Sequence, residues 1–405
     1  MRRLRTTSTR RLLAVLACAA VLVTSAAIAE AALGGSGPVP PPKALAQAIK
    51  DALGAKAPDG ITARIHFTNN LLPSGSLPGT SSALTSGGDG RLWLAKDGRL
   101  RLELQSSSGD AQITSDGKRI TLFDASSNTA YEAKLPDEPA DGLARKHAHE
   151  NPTIAKIQRA LDRLAKFWTV SGAEPTSTAG QPTYTVRVAP KDDGGLLGAA
   201  KLAWDSVTGV PLRAAVYAQG QSDPVLELEA TDVSYGAVSD SALATTVPAG
   251  AKVVTLDPKA PAAGDRDRAS RRHGHGAAAA TSVDALAKTL DFSLSTPDTL
   301  AGLPRQGAYG VDFDGHKGAL VTYGKGLGGI IVFEHKTDAH DTASAKPDSG
   351  HRDSPLPQIN IDGTTGTELA TALGTLVTFE RSGVSYVVAG SVPPVAAENA
   401  ARGLR

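Results

Sequence analysis

Gly324-Lys325-Gly326-Leu327-Gly328-Gly329 has the G-x-G-x-x-G spacing that can cradle a pyrophosphate. That chemistry needs a strand before the run and a helix after it, so that the helix N-terminus meets the phosphates. Here Ile330, Ile331, Val332 and Phe333 follow, which is strand composition, so the run reads as a hairpin loop. Ser115 and Lys118 keep the S-x-x-K spacing of an acylating serine, which works only when the two lie one helical turn apart. Asp116-Gly117 between them is a turn signal, and a β turn splays the two side chains. No G-x-S-x-G elbow occurs. His335, His340 and His351 share a stretch with Asp338, Asp341 and Asp348, and His273 and His275 flank Gly274. A metal needs converging, oriented ligands, and Ser/Ala/Pro-rich surroundings give them little orientation. Solvated loop residues are the expectation. The chain is therefore expected not to be an enzyme: catalytic residues none, metal none, cofactors none.

The remaining chemistry is that of apolar surface. Leu92, Leu94, Leu100, Leu102 and Leu104, together with Ile120, Leu122, Leu226 and Leu228, fall on alternating positions of strand-like runs. With Trp93 and Trp204 they are the candidate lining of a hydrophobic cavity; an ordinary filled core is the competing reading, and spacing does not separate the two. Ile154, Ile157, Leu161 and Leu164 form a helical stripe, continued by Phe167, that could cover such a cavity as a lid. Arg266, Arg268, Arg271 and Arg272 make a basic patch that could meet lipid headgroups or simply be a solvated linker.

These residues hang on one element, the stretch from Gly87 to Pro136. Period-two alternation places Leu100, Leu102 and Leu104 on one face and Arg99, Arg101 and Glu103 on the other. Asp97-Gly98 and Asp116-Gly117 punctuate the runs, because glycine supplies positive φ at no steric cost. The result is a meander of antiparallel strands. Around it, a helix is expected from Pro42 to Leu53, a strand from Ile61 to Thr68, and a helix after Pro152 with Asn151 as its cap. Strands follow at Tyr184–Val188, Ala199–Asp205, Leu212–Ala218 and Val225–Tyr235. A second block has a helix at Ser282–Leu290, strands between Gly310 and Ala389, and a closing helix at Val395–Leu404.

Length, at 405 residues, suits two domains with extensions. A net charge of +1 gives no reason to expect nucleic acid as a partner. Five arginines precede an apolar run from Leu12 to Ala29, with small residues at Ala27, Ala29 and Ala31: a signal peptide or a membrane anchor. Thr9-Arg10-Arg11-Leu12-Leu13 also resembles a twin-arginine signal, and Val15-Leu16-Ala17-Cys18 loosely resembles a lipoprotein box. Cys18 is the sole cysteine, so the exported part has no disulfide. The expected divisions are residues 1–33 for the leader or anchor, 34–42 and 257–281 for linkers, 43–256 for a first domain and 282–405 for a second. The expected location is the outer side of the cytoplasmic membrane, anchored, or secreted or periplasmic.

Gly90-Arg91-Leu92-Trp93-Leu94-Ala95, then Ser115-Asp116-Gly117-Lys118 with Ile120 and Phe123, then Val247-Pro248-Ala249-Gly250-Ala251-Lys252-Val253 resemble, in order and spacing, motifs of the LolA-like lipoprotein carriers. Tyr323-Gly324-Lys325-Gly326-Leu327, running on to Val332-Phe333-Glu334, and Gly390-Ser391-Val392-Pro393-Pro394 with the helix after it resemble the C-terminal domain of the RseB/MucB regulators. The resemblance implies a β-rich α+β fold: an open, curved antiparallel half-barrel with lid helices, plus a smaller α+β C-terminal domain. It implies binding of a lipid or a lipidated protein in the half-barrel, as a lipoprotein carrier or chaperone. The alternative it implies is a sensor that holds a membrane anti-sigma factor. In the carriers an arginine that latches the lid follows the tryptophan motif; here Lys96 stands at that place.

Overall fold

The computed structural model describes residues 37–72, 82–135, 152–191, 194–244, 247–256, 282–313, 316–337 and 356–405. The leader, the whole linker at 257–281 and the histidines at 340 and 351 lie outside the described residues. The chain divides into two compact units.

The first unit opens with helix α1 (Leu45–Gly54), which buries Ala46 and Ala48. Strand β1 (Gly60–Asn69) follows. A one-turn helix α2 (Ala83–Ser86) comes next, inside a stretch that the sequence presents as loop. Its cap is reciprocal: the Ser82 hydroxyl accepts from the Leu84 amide, and the Ser82 amide donates to the Thr85 hydroxyl at 3.0 Å.

The meander forms as its alternation requires, as β2 (Gly88–Ala95), β3 (Leu100–Gln105), β4 (Ala111–Ser115), β5 (Arg119–Asp124) and β6 (Thr129–Lys134). Gly98 at φ 90° and Gly117 at φ 85° make the turns that only glycine makes without strain. Helix α3 (Ile154–Leu164) is followed by β7 (Trp168–Val170), β8 (Glu174–Thr178), β9 (Gln181–Pro190), β10 (Leu197–Asp205), β11 (Pro211–Ala218) and β12 (Pro224–Tyr235). A short helix α4 (Asp240–Leu243) and strand β13 (Lys252–Leu256) complete the unit.

One sheet collects all thirteen strands in the order β13-β6-β5-β4-β3-β2-β1-β12-β11-β10-β9-β7, with β8 beside β9. The path has two free ends, so the sheet is curled but open. Its pairing is antiparallel except at β13, which returns parallel to β6.

The second unit has helix α5 (Val283–Ala287), strands β14 (Thr299–Leu300), β15 (Leu303–Phe313), β16 (His316–Tyr323), β17 (Ile330–Lys336), β18 (Gln358–Ile361), β19 (Thr364–Thr371), β20 (Gly374–Arg381) and β21 (Val384–Gly390), and helix α6 (Pro394–Gly403). They form an eight-stranded sheet in the order β14-β15-β16-β17-β21-β20-β19-β18. Helix α6 lies across β20, β21 and β18. Its Ala397, Ala400 and Ala401 pack with Val321, Val332, Val377 and Val388 in one core. Small residues on that helix face let it approach the sheet closely. The architecture is a β-rich α+β fold with one open, curled sheet in each unit, antiparallel but for the β13–β6 pair.

Three boundaries differ from the sequence expectation. Helix α3 is capped by Thr153, whose hydroxyl accepts from the Lys156 amide at 3.3 Å; Asn151, the expected cap, lies outside the described residues. The same helix stops at Leu164, which leaves Phe167 outside it and 69% exposed. The strand series expected to end at Val225–Tyr235 continues into β13, whose partner β6 lies more than a hundred residues earlier and leaves no local signal.

Candidate functional site

Strand register fixes which side chains share a face, since directly opposed residues project to the same side. Leu92 opposes Ala63 on β1 and Leu102 on β3; Leu102 opposes Ile113, Ile113 opposes Leu122, and Leu122 opposes Tyr131. A single apolar row thus crosses six strands. A second row parallels it: Ile61, Leu94, Leu100, Ser115, Ile120 and Ala133. A third carries Ile65, Gly90, Leu104 and Ala111. Leu226 and Leu228 lie on the same face of β12, opposite Asn69 and Phe67.

These side chains have unequal surroundings. Leu104 is 3% exposed and belongs to a filled core with Ile61, Ala63, Ile65, Ala83 and Val233. Helix α2 covers it through Ala83 and Leu84, and Leu92, Leu94 and Leu102 pack against the same core from the side. Leu92, Leu94, Leu100, Leu102, Ile113, Ile120, Leu122, Tyr131 and Leu226 are half-buried, and Leu228 is 40% exposed.

Trp93 does not join them. It sits between Leu92 and Leu94, so the pleat turns it to the opposite face, across from Thr62 and Arg101. There the Arg101 guanidinium stacks over its ring at 5.3 Å. Arg101 Nη1 donates to the carbonyls of Ala242 at 3.2 Å and Ala244 at 3.3 Å, and Nη2 pairs with Glu103. Gln112 donates to the same Glu103 carboxylate at 3.1 Å. One arginine therefore fastens α4 and the residue after it onto the polar face of the meander. Lys96, where the carrier pattern has an arginine, pairs instead with Asp59 at 2.6 Å in an exposed contact.

Trp204 is also apart from the leucine rows. It lies on β10 opposite Tyr184, with ring centroids 6.1 Å apart. Val186 and Leu202, and Val188 and Ala200, oppose each other in the next positions of that pair. The proposed lid residues divide as well: Ile157 is 7% exposed, Leu161 and Leu164 are half-buried, and Ile154 is 43% exposed. Helix α3 makes its main packing against α1 and β7. It is thus anchored near the β7 end of the strand order, with β2 to β5 toward the other end.

A hollow of about 460 Å³ lies on the polar face of the meander. Arg99, Gln112, Thr114, Asp116, Arg119 and Glu132 line its floor, and Asp240, Leu243 and Val247 line its other side. Its charges are already matched. Arg99 pairs with Asp97 and Asp240 at 2.8 and 2.7 Å, and Arg119 pairs with Glu132 at 2.8 Å. Asp116 accepts from the Arg119 and Lys118 amides, which hold its carboxyl below the usual carboxylate range. A second hollow, of about 350 Å³, lies between the end of α1 and the turn at Ser206-Val207. Of the three rows only Ser115 lines the first hollow, and no row residue lines the second.

Ser115 closes β4 and Lys118 lies in the turn before β5, so the two stand on no common helix. Gly324 to Gly329 joins β16 to β17, a hairpin loop. Among the described residues no group of three or more His, Cys, Asp or Glu could hold a metal ion. No helix among the described residues is long and apolar enough to cross a membrane.

Sequence reasoning missed Ile113 and Tyr131 as members of the central row. The signal was there: Ala111 and Ile113 alternate with Gln112 and Thr114 in the same period as Leu100 to Leu104.

No family model matches the sequence, and no curated protein matches it. Among solved structures, the chain is similar to MucB in complex with MucA(peri), at 17% identity over 89% of this chain and 96% of that one, with a TM-score of 0.39. MucB alone gives 16% identity, 89% and 97% coverage and a TM-score of 0.35. A LolA superfamily protein from Nitrosomonas europaea gives 9% identity over 50% of this chain and 98% of that one, with a TM-score of 0.21. The likeness is one of fold alone.

Proposed function

We propose that this chain is an extracytoplasmic carrier that binds the acyl chain of a lipid or lipidated protein on the leucine-bearing face of its first unit. One observation carries the reading: the row Leu92, Leu102, Ile113, Leu122 and Tyr131 crosses five strands without a polar break, and each member is only half-buried. A contiguous apolar track of this kind gains free energy from any hydrocarbon laid along it. At about 0.8 kcal/mol per buried methylene, ten methylenes give a gross gain of about 8 kcal/mol with no polar contact needed. In this reading α3, with exposed Ile154 and half-buried Leu161 and Leu164, moves as a lid, and the second unit presents a sheet and helix to a partner protein.

The test is uptake of a fluorescent long-chain fatty acid by the full chain, with native mass spectrometry of what co-purifies. Leu102→Glu and Leu122→Glu each place a charge in the middle of the track and are expected to abolish uptake while the circular dichroism spectrum stays unchanged. Uptake that survives both substitutions in folded protein would sink the reading. Outright unfolding by both would show that the face is filled core. The sensor alternative adds one requirement: lipid uptake must release a bound membrane anti-sigma factor, which a pull-down with and without fatty acid would show.

A further inference from the structure

The outward ridge of α3 is basic and unpaired. At 100° per residue, Lys156, Arg159 and Arg163 fall within about 60° of one another, on the side away from Ile157, Leu161 and Leu164. All three are exposed, as is Lys166 just past the helix end. Arg159 and Arg163 spend one donor each on the carbonyls of Ala155 and Arg159 behind them. None of the four meets a carboxylate among the described residues. The only acid of the helix, Asp162, accepts from Gln158 at 2.8 Å. Elsewhere in the same unit Arg99, Arg101, Arg119 and Arg213 are ion-paired, while the exposed Arg64 and Arg91, opposite one another on β1 and β2, meet no carboxylate among the described residues.

Like charges three and four residues apart weaken a helix by a few tenths of a kcal/mol per pair. The chain as a whole carries only +1, so the ridge is a local concentration and not a general surplus. Two features extend it at one end. Phe167 is 69% exposed directly beyond the ridge. Exposed Lys191 donates its Nζ to the Ala165 carbonyl, adding a fifth cation at that end of the helix.

We infer that this ridge docks the protein on an anionic phospholipid surface, with the cations over the headgroups and the Phe167 ring in the interface. Charge complementarity selects the occupant. A bilayer of anionic lipid offers diffuse negative charge with apolar material just beneath it, and that is the combination this surface matches. An acidic protein would satisfy the cations but leaves the exposed ring without a role. The inference uses the face of α3 opposite to its buried stripe, so it stands independently of acyl binding on the leucine rows.

The test places an environment-sensitive NBD group at position 167, by Phe167→Cys in a Cys18→Ser background of the full chain. The protein is reconstituted in vesicles of phosphatidylcholine alone and of phosphatidylcholine with phosphatidylglycerol. The arginines before the apolar run also favour the anionic vesicle, so the charge-reversal variant is the arm that isolates the ridge. The expected result is blue-shifted, enhanced emission with phosphatidylglycerol only. The shift should be lost in 1 M salt, where the Debye length is about 3 Å. It should also be lost in the Lys156→Glu/Arg159→Glu/Arg163→Glu variant at unchanged melting temperature. Equal emission in the two vesicles overturns the inference, as does a shift that survives the triple reversal. If the variant melts early, Lys156→Gln/Arg159→Gln/Arg163→Gln, which keeps good helix formers, replaces it with the same expectation.

Discussion

Glu334 is the residue with the least comfortable surroundings. It is 0% exposed, on the inner face of β17 with Ile330 and Val332. Its Oε2 accepts from the Ser295 amide at 2.9 Å, and its Oε1 has no hydrogen-bond partner. Burial pushes the carboxyl up to about 7, against the smaller opposing pull of that amide. Tyr386 stands opposite it in register, and the partnerless Tyr323 hydroxyl is pushed up to about 12, first by burial and then by the nearby carboxylate. The sign follows from linkage. The folded state holds the proton more tightly than the unfolded state, so stability is highest below the ordinary value of 4.5 and falls as pH rises toward 7. The loss across that window is about 3 kcal/mol. Glu334→Gln removes the titration. Calorimetry at pH 4.5 and 7.5 should show the wild-type transition of the second unit dropping and the variant's staying level; equal drops would show that another group sets the slope. The Ser295 hydroxyl, which donates to the Arg405 carbonyl, ties the carboxyl to Arg405. The backbone at Arg405 is thus expected to loosen first at neutral pH.

At the scale of elements, the meander was the most legible part of the chain. Its alternation and its Asp-Gly turns are local, and they produced β2 to β6 with the leucines on one face. What escaped was non-local. Helix α2 is a single turn whose capping Ser82 looks like any loop serine until Ala83 and Leu84 are placed over Ile65 and Leu104. Trp93 was grouped with its leucine neighbours by composition, although period two already put it on the other side. The opposite face then proved to have its own organisation, in which Arg101 reaches 141 residues along the chain to Ala242. That contact has a measurable weight. The Arg101 side chain is only 23% exposed, and its bonds are made by a charged donor in a largely dry place. Arg101→Lys keeps the charge but cannot span both carbonyls and Glu103 at once. It should cost about 2 kcal/mol in urea denaturation. It should also speed proteolytic cleavage near Asp240–Ala244. Unchanged cleavage would mean that the carbonyl contacts do not hold α4.

At the scale of the whole molecule, the two cores share no residue. Leu104, Ile65 and Val233 belong to one, and Val332, Tyr386 and Ala401 belong to the other. The sequence leads one to expect a division at the Ala/Gly/Arg-rich run after Asp257, because a segment with few large apolar residues has little to bury. Separate cores make a quantitative claim about cooperativity. Leu104→Ala removes a side chain that is 3% exposed and should lower the first unit's stability by about 2–5 kcal/mol. Glu334→Gln acts only on the second. If each unit melts as its own two-state body, calorimetry should show two transitions, with each substitution moving one of them. The double variant should then reproduce the sum of the single shifts to within about 0.5 kcal/mol, as for sites with no shared partners. A single transition moved by both substitutions, with clear non-additivity, would show instead that the units unfold as one. Ligand adds a further constraint. An acyl chain on the leucine rows binds only the folded first unit, so it should raise that transition with the logarithm of its concentration and leave the other where it was. Movement of the second transition by fatty acid would place the ligand, or its coupling, outside the face where Leu92 and Leu122 lie.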